Sequence, residues 1–221
     1  MKLFFQAIIK FFLGVILVGL LIFLPAGTLN YFNGLLLMAI LFIPMFIAGI
    51  VMLIVNPKLL KSRLSAKEKL SSQSAVIKLS GLMFLVGFIL AGLGYRFSWY
   101  MLPKIVSIIA SVLFLVAYII YAEVLRENTY LSRTIEVKDG QKVIDTGLYS
   151  IVRHPMYSAT LLLFISMPLV LGSVYSFIVF LFYPFIISKR IKGEEEFLKE
   201  NLSGYEEYTK KVKYRLIPFI W

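Results

Sequence analysis

The chain of 221 residues is 60% hydrophobic and 16% charged, with a mean hydropathy of +0.87, against about 45–50% apolar and about 25% charged residues in an average soluble domain. That balance is the balance of a membrane protein. Together with the absence of cysteine it excludes disorder, a collagen-like fibre, a disulfide scaffold, thiol nucleophiles, iron–sulfur clusters and Cys-ligated zinc.

A net charge of +11, from 23 Lys+Arg against 12 Asp+Glu, points in so apolar a chain to the positive cytoplasmic face of a membrane protein rather than to nucleic acid. One histidine cannot build a polyhistidine metal site, so no metal is expected.

A bilayer core of about 30 Å needs roughly 17–25 apolar residues per helix. Six segments qualify, two of them short, which predicts an all-α polytopic membrane protein of about six transmembrane helices. The first runs from about Leu3 to Leu24 and contains Lys10, which near one end snorkels to the interface. It is too long, and too closely followed by another span, for a cleavable signal. The second runs from about Tyr31 to Val55, the third from about Val76 to Phe97 and the fourth from about Leu102 to Leu125. These four carry few polar residues beyond Lys10, Lys78 and Glu123, which argues against an ion or proton pathway. The small-residue spacings Gly87/Ala91 and Ser107/Ser111 permit close helix approach. Residues 1–125 read as a four-helix transmembrane scaffold.

Loop charge sets the orientation. The loop from Asn56 to Ala75 holds Lys58, Lys61, Arg63, Lys67 and Lys69 against Glu68, whereas Pro25 to Asn30 has no charge. Alternation then places both termini, the polar stretch from Arg126 to Arg153 and everything beyond Ser188 in the cytoplasm of a cell-membrane protein.

An apolar block from Pro155 to Ser188, interrupted at Met167–Ser173, reads as a tight helical hairpin with short arms. A hairpin returns the chain to the side it left, so the polar stretches that flank it, 142–157 and 189–208, meet at one membrane surface. Pro155 suits the first turn of a helix and puts His154 at its N-cap. The second arm continues beyond Ser188 as one helix to Asn201, with Gly204 ending it. Arg190 and Glu194 share a face of that continuation, and Tyr205, Tyr208 and Val212 mark one face of a further short cytoplasmic helix. The same residues also fit plainer roles: Arg153 and Arg190 as positive flanks, the tyrosines as interfacial aromatics, Glu194 to Glu196 as a solvated face.

Gly147-Leu148-Tyr149, then Arg153-His154-Pro155-Met156-Tyr157, then Glu194-Glu195 followed by Leu198, Gly204, Tyr205 and Tyr208, together resemble the carboxy-terminal signature of the isoprenylcysteine carboxyl methyltransferase and phospholipid methyltransferase superfamily, over about Arg126 to Trp221. The resemblance implies an integral membrane enzyme dependent on S-adenosylmethionine, with S-adenosylhomocysteine as product and residues 126–221 as the cofactor-binding region. By motif the cofactor contacts fall on Val143, Ile144, Tyr149, His154, Pro155, Met156, Tyr157 and Glu194, with Glu195 as neighbour and Gln141 and Lys142 upstream. Arg190 stands where the prenylcysteine branch contacts substrate. Ala159 departs from the glycine of many members, and its methyl group would narrow the pocket or alter helix packing.

These residue types suit the cofactor. Glu194 can pair with its ammonium, the N–H groups before Pro155 can receive its carboxylate, and tyrosines can pack against adenine or sulfonium. No Gly-x-Gly-x-x-Gly occurs, which argues against a soluble Rossmann-type methyltransferase. A carboxylate acceptor needs only orientation, which the guanidinium of Arg190 supplies, whereas an amine must first lose a proton to Glu194, Glu195 or His154. The expected acceptor is a lipid-like or prenyl-like carboxylate entering from the bilayer. The alternatives are a phospholipid or amine N-methyltransferase, and a non-catalytic transporter or sensor subunit whose basic loops bind anionic lipid.

Overall fold

A computed structural model gives the fold and describes residues 2–64, 73–132 and 134–221. Lys67, Glu68 and Lys69 of the basic loop lie outside the described residues. The described chain is helical, with no strand beyond an isolated bridge between Met101 and Ser173.

The first four spans appear where the apolar runs place them: α1 (Lys2–Ala26), α2 (Phe32–Val55), α4 (Ser74–Arg96) and α5 (Lys104–Glu127), with a short helix α3 (Pro57–Leu64) after α2. The hairpin follows as α6 (Pro155–Val170) and α7 (Val174–Phe180), turning at Leu171–Ser173. The second arm departs from the expected single helix. It is interrupted at Leu181–Phe182, where Pro184 near the start of α8 (Tyr183–Asn201) removes a backbone donor. Among the described residues, five stretches are long and apolar enough to cross a membrane, Val174–Asn201 counting as one across its break, and α6 is a shorter apolar helix of 16 residues. The charged half of α8 lies beyond Ser188. Gly204, in the left-handed region at φ 82°, then turns the chain into α9 (Tyr205–Lys211).

Packing places α5 along α6, α1 against α4, and α4 against α7. The small residues do what their spacing foretells. Gly87 faces the Phe180 ring, Ala91 is fully buried, and Gly92 lets α4 approach the backbone of α1 at Ile22. The far end of the hairpin is tied down by polar contacts from the first half of the chain. The Tyr31 hydroxyl donates to the Leu171 carbonyl at 2.5 Å, Ser107 Oγ to Leu169 O at 3.2 Å, and Leu102 N to Gly172 O at 2.8 Å. Lys10 reaches the end of α3, where its Nζ donates to the Leu64 carbonyl at 2.6 Å, a favourable place for a cation beside unpaired helix-terminal carbonyls.

Candidate functional site

At the end of the helices opposite the hairpin turn, the stretches before α6 and after Ser188 converge on a cavity with about 810 Å³ of empty space, its open mouth included. Of the residues to which the resemblance points, Gln141, Lys142, Val143, Ile144, Tyr149, His154, Met156, Tyr157, Arg190 and Glu194 line it; Pro155 and Glu195 do not.

One wall is a hydrogen-bonded chain across the two arms. Arg190 Nε donates to the Tyr157 hydroxyl at 3.0 Å, and that hydroxyl donates to Glu194 Oε2 at 2.5 Å. Arg190 and Glu194 stand one turn apart on α8 and Tyr157 in the first turn of α6, so this contact exists only because the hairpin closes. The His154 ring stacks on the Tyr157 ring at 5.7 Å, which links it to Glu194 through a single residue.

Glu195 faces the other way. Buried at 3% exposure, its carboxylate accepts from Arg153 Nε at 2.6 Å, from Arg215 Nε at 2.8 Å and from His154 Nε2 at 3.3 Å. Burial alone would raise this carboxyl, but the hydrogen bonds from His154, Arg153 and Arg215 prevail and hold it at about 2. Glu195 is therefore the anchor behind the cavity wall rather than part of its lining. Arg153 serves the same anchor: its Nη1 donates to the carbonyls of Val212 and Lys213 at 2.7 and 3.0 Å, so it is far more than a positive flank.

His154 is the N-cap of α6 and Pro155 its first residue, as expected. The expectation that the N–H groups before Pro155 receive an anion is not met. Arg153 N donates to Tyr214 O and His154 N to Arg215 O, both at 2.9 Å, and Ser158 Oγ adds a bond to Leu216 O at 2.5 Å. The segment after α9 runs past the start of α6 and takes these donors for itself. Ala159 is fully buried and lines no part of the cavity, so its methyl group belongs to helix packing.

The linker before α6 is held in place by a carboxylate. Glu127, at the end of α5, accepts from Thr146 Oγ1 at 2.7 Å and from Leu148 N at 3.3 Å, capping the 3-10 turn Gly147–Ser150. Gly147 sits at φ 50°, and a Cβ there would collide with the Glu127 carboxylate. Gly147→Ala should therefore cost about 1–2 kcal/mol from backbone conformation alone, and more from the clash. Thermal unfolding that leaves the variant level with the wild type would contradict this account of the turn. Tyr149, delivered by that turn, receives a bond from Asn128 Nδ2 at 3.0 Å, and the Tyr208 hydroxyl donates to the Tyr149 carbonyl at 2.7 Å. Gln141 lines the cavity while its side-chain oxygen closes a turn by accepting from Lys138 N at 3.0 Å.

Several cavity residues escape the sequence reading: Asn128, Tyr130, Ser132, Thr134 and Glu136 from the linker, and Leu202 at the end of α8; Leu198, Tyr205 and Tyr208, which the motif includes, line the cavity with them. The linker residues have no periodicity to expose them. Tyr205, Tyr208 and Val212, expected on one face of a short helix, do share one buried cluster, which Leu202, Leu198 and Val143 join. Arg63, read as a loop cation, is tied to the site's frame: it donates to the Ser132 carbonyl at 3.0 Å and to the Tyr121 hydroxyl, and reaches Met156 Sδ at 3.7 Å.

The comparisons with known proteins agree with the family resemblance. Residues 104–204 match the model of the phospholipid methyltransferase family. A probable protein-S-isoprenylcysteine O-methyltransferase of Oryza sativa subsp. indica is 37% identical over 97 residues, 43% of this chain and 50% of the relative, and its counterpart in Oryza sativa subsp. japonica matches equally. A Delta(14)-sterol reductase of Mus musculus is 28% identical over 91 residues, 40% of this chain and 22% of the relative. The matches thus span half of the rice proteins and about a fifth of the mouse one.

Proposed function

We propose, taking the kinship of residues 104–204 with phospholipid methyltransferases as the premise, that this chain is a membrane methyltransferase. It uses S-adenosylmethionine at the cytoplasmic cavity and a lipid-like or prenyl-like carboxylate as acceptor. The observation that carries the reading is the Arg190–Tyr157–Glu194 chain, which sets a cation suited to an acceptor beside a carboxylate suited to a donor on one cavity wall.

The residues present fit the cofactor's chemistry. Glu194 offers a carboxylate to an ammonium, Lys142 is the cation we assign to the carboxylate end, and Tyr149, Tyr157 and Tyr205 supply aromatic faces for a cationic sulfur or a purine. When bound, the cofactor supplies a methyl group already activated: the acceptor oxygen bonds to the methyl carbon as the methyl–sulfur bond breaks, its electron pair staying on sulfur as a neutral thioether. Catalysis by the chain is then chiefly alignment and exclusion of water, an effect worth up to about 7–11 kcal/mol. Arg190 orients the acceptor carboxylate through its forked donors, with Tyr157 fixing the guanidinium by its Nε. Burial of an acyl or prenyl tail in the bilayer, at about 0.8 kcal/mol per CH₂, supports a lipophilic acceptor.

Calorimetric titration of the purified protein with S-adenosylhomocysteine should saturate, as should binding to inside-out but not right-side-out membrane vesicles. No saturable binding defeats the proposal. With labelled donor and host membranes, alkali-labile product marks a methyl ester; alkali-stable product marks N-methylation instead.

A further inference from the structure

The Tyr205 side chain lines the cavity, is only 4% exposed, and its hydroxyl finds no hydrogen-bond partner among the described residues. A buried phenol left unpaired costs about 1–3 kcal/mol, and buried polar groups are rarely left so. Its neighbour Tyr208 uses its own hydroxyl on the Tyr149 carbonyl, so the two tyrosines of α9 are differently employed although their rings lie 5.7 Å apart. Tyr205 packs in an apolar cluster with Val143, Leu198, Leu202 and Tyr208. Glu194 and Lys142 provide for the charged ends of a donor, and this apolar lobe provides for a flat heteroaromatic ring. Burial, and after it the carboxylates of Glu195 and Glu194, push the phenol up, so it remains a neutral donor.

We infer that the apolar lobe around Tyr205 receives the purine of the methyl donor and that the Tyr205 hydroxyl donates a hydrogen bond to one of its ring nitrogens. The inference rests on the proposed use of S-adenosylmethionine and names the residue that reads the nucleobase.

The test is calorimetric titration of wild-type protein and Tyr205→Phe with S-adenosylhomocysteine and with its 1-deaza, 3-deaza and 7-deaza analogues, alongside thermal unfolding of the unliganded proteins. Tyr205→Phe should bind S-adenosylhomocysteine about tenfold more weakly, the value of one net hydrogen bond, while its unliganded melting temperature stays level or rises. One deaza analogue should lose the same factor on the wild type and bind both proteins alike. Unchanged affinity in Tyr205→Phe, strictly additive losses for all three analogues, or a fall of several degrees in unliganded melting would each overturn the inference while leaving the methyltransferase reading in place. Failure of the wild type to bind S-adenosylhomocysteine would defeat both.

Discussion

Glu195→Ala is expected to lower the melting temperature on the order of 10 °C, because it removes the one anion on which Arg153, Arg215 and His154 converge. Removing one partner of a buried ion pair costs about 3–5 kcal/mol, and in a chain of this size each kcal/mol moves the midpoint by about 2–4 °C. Arg153 and His154 would be left as buried donors without their acceptor. Hydrogen exchange should report the same event locally, with faster exchange at the amides of Arg153 and His154, which now donate to Tyr214 and Arg215. Glu195→Gln, which keeps an acceptor and loses the charge, should fall between the two. A variant that melts with the wild type would show that the cluster contributes little. The pH dependence has a definite sign. The folded carboxyl titrates at about 2, below the roughly 4.3 of an unfolded glutamate, so its contribution is complete at neutral pH and is lost as the pH falls from about 4 toward 2.

The second large effect separates the two charged residues of the cavity wall. Glu194→Ala should weaken S-adenosylhomocysteine binding by about 10- to 100-fold, the worth of a charge-assisted hydrogen bond of roughly 1.5–3 kcal/mol. Arg190→Ala should leave that affinity within about threefold and reduce labelled-methyl transfer by about 100-fold, since a lost orienting contact acts on alignment of the acceptor. The two residues communicate through Tyr157, and this bridge is why a modest effect of Arg190 on the donor is allowed. If Arg190→Ala abolished donor binding while Glu194→Ala spared it, the roles would have to be exchanged.

Hydropathy was enough to read the first four spans, because a bilayer demands long unbroken apolar runs and nothing else in this chain imitates them. The hairpin was legible from the interruption at Met167–Ser173, and with it the meeting of Tyr157 with Glu194. Two features were not. The interruption at Leu181–Phe182 is hidden because the residues around Pro184 are as apolar as the helix itself, so composition does not change where the helix stops and restarts. The use of the Arg153 and His154 amides was hidden for a different reason: their partners are backbone carbonyls of residues 214 and 215, and a carbonyl has no side-chain signature. The adjacent glutamates were told apart only by the resemblance, which puts the contact on Glu194 with Glu195 as neighbour, and the anchoring role of Glu195 had no sign in the sequence. Successive residues of a helix point about 100° apart, so Glu194 meets the cavity while Glu195 meets the anchor, and helix periodicity by itself does not say which faces which.

The reach of Arg63 bears on how this protein can be recombined. The matched segment begins at Lys104, and α5 lies along α6, so a chimera joined after Leu125 would strip the hairpin of the helix on which it rests. A transplant of the carboxy-terminal half onto foreign transmembrane helices would have to start ahead of Lys104. The host would also have to furnish a guanidinium where Arg63 now grips Ser132 and Tyr121.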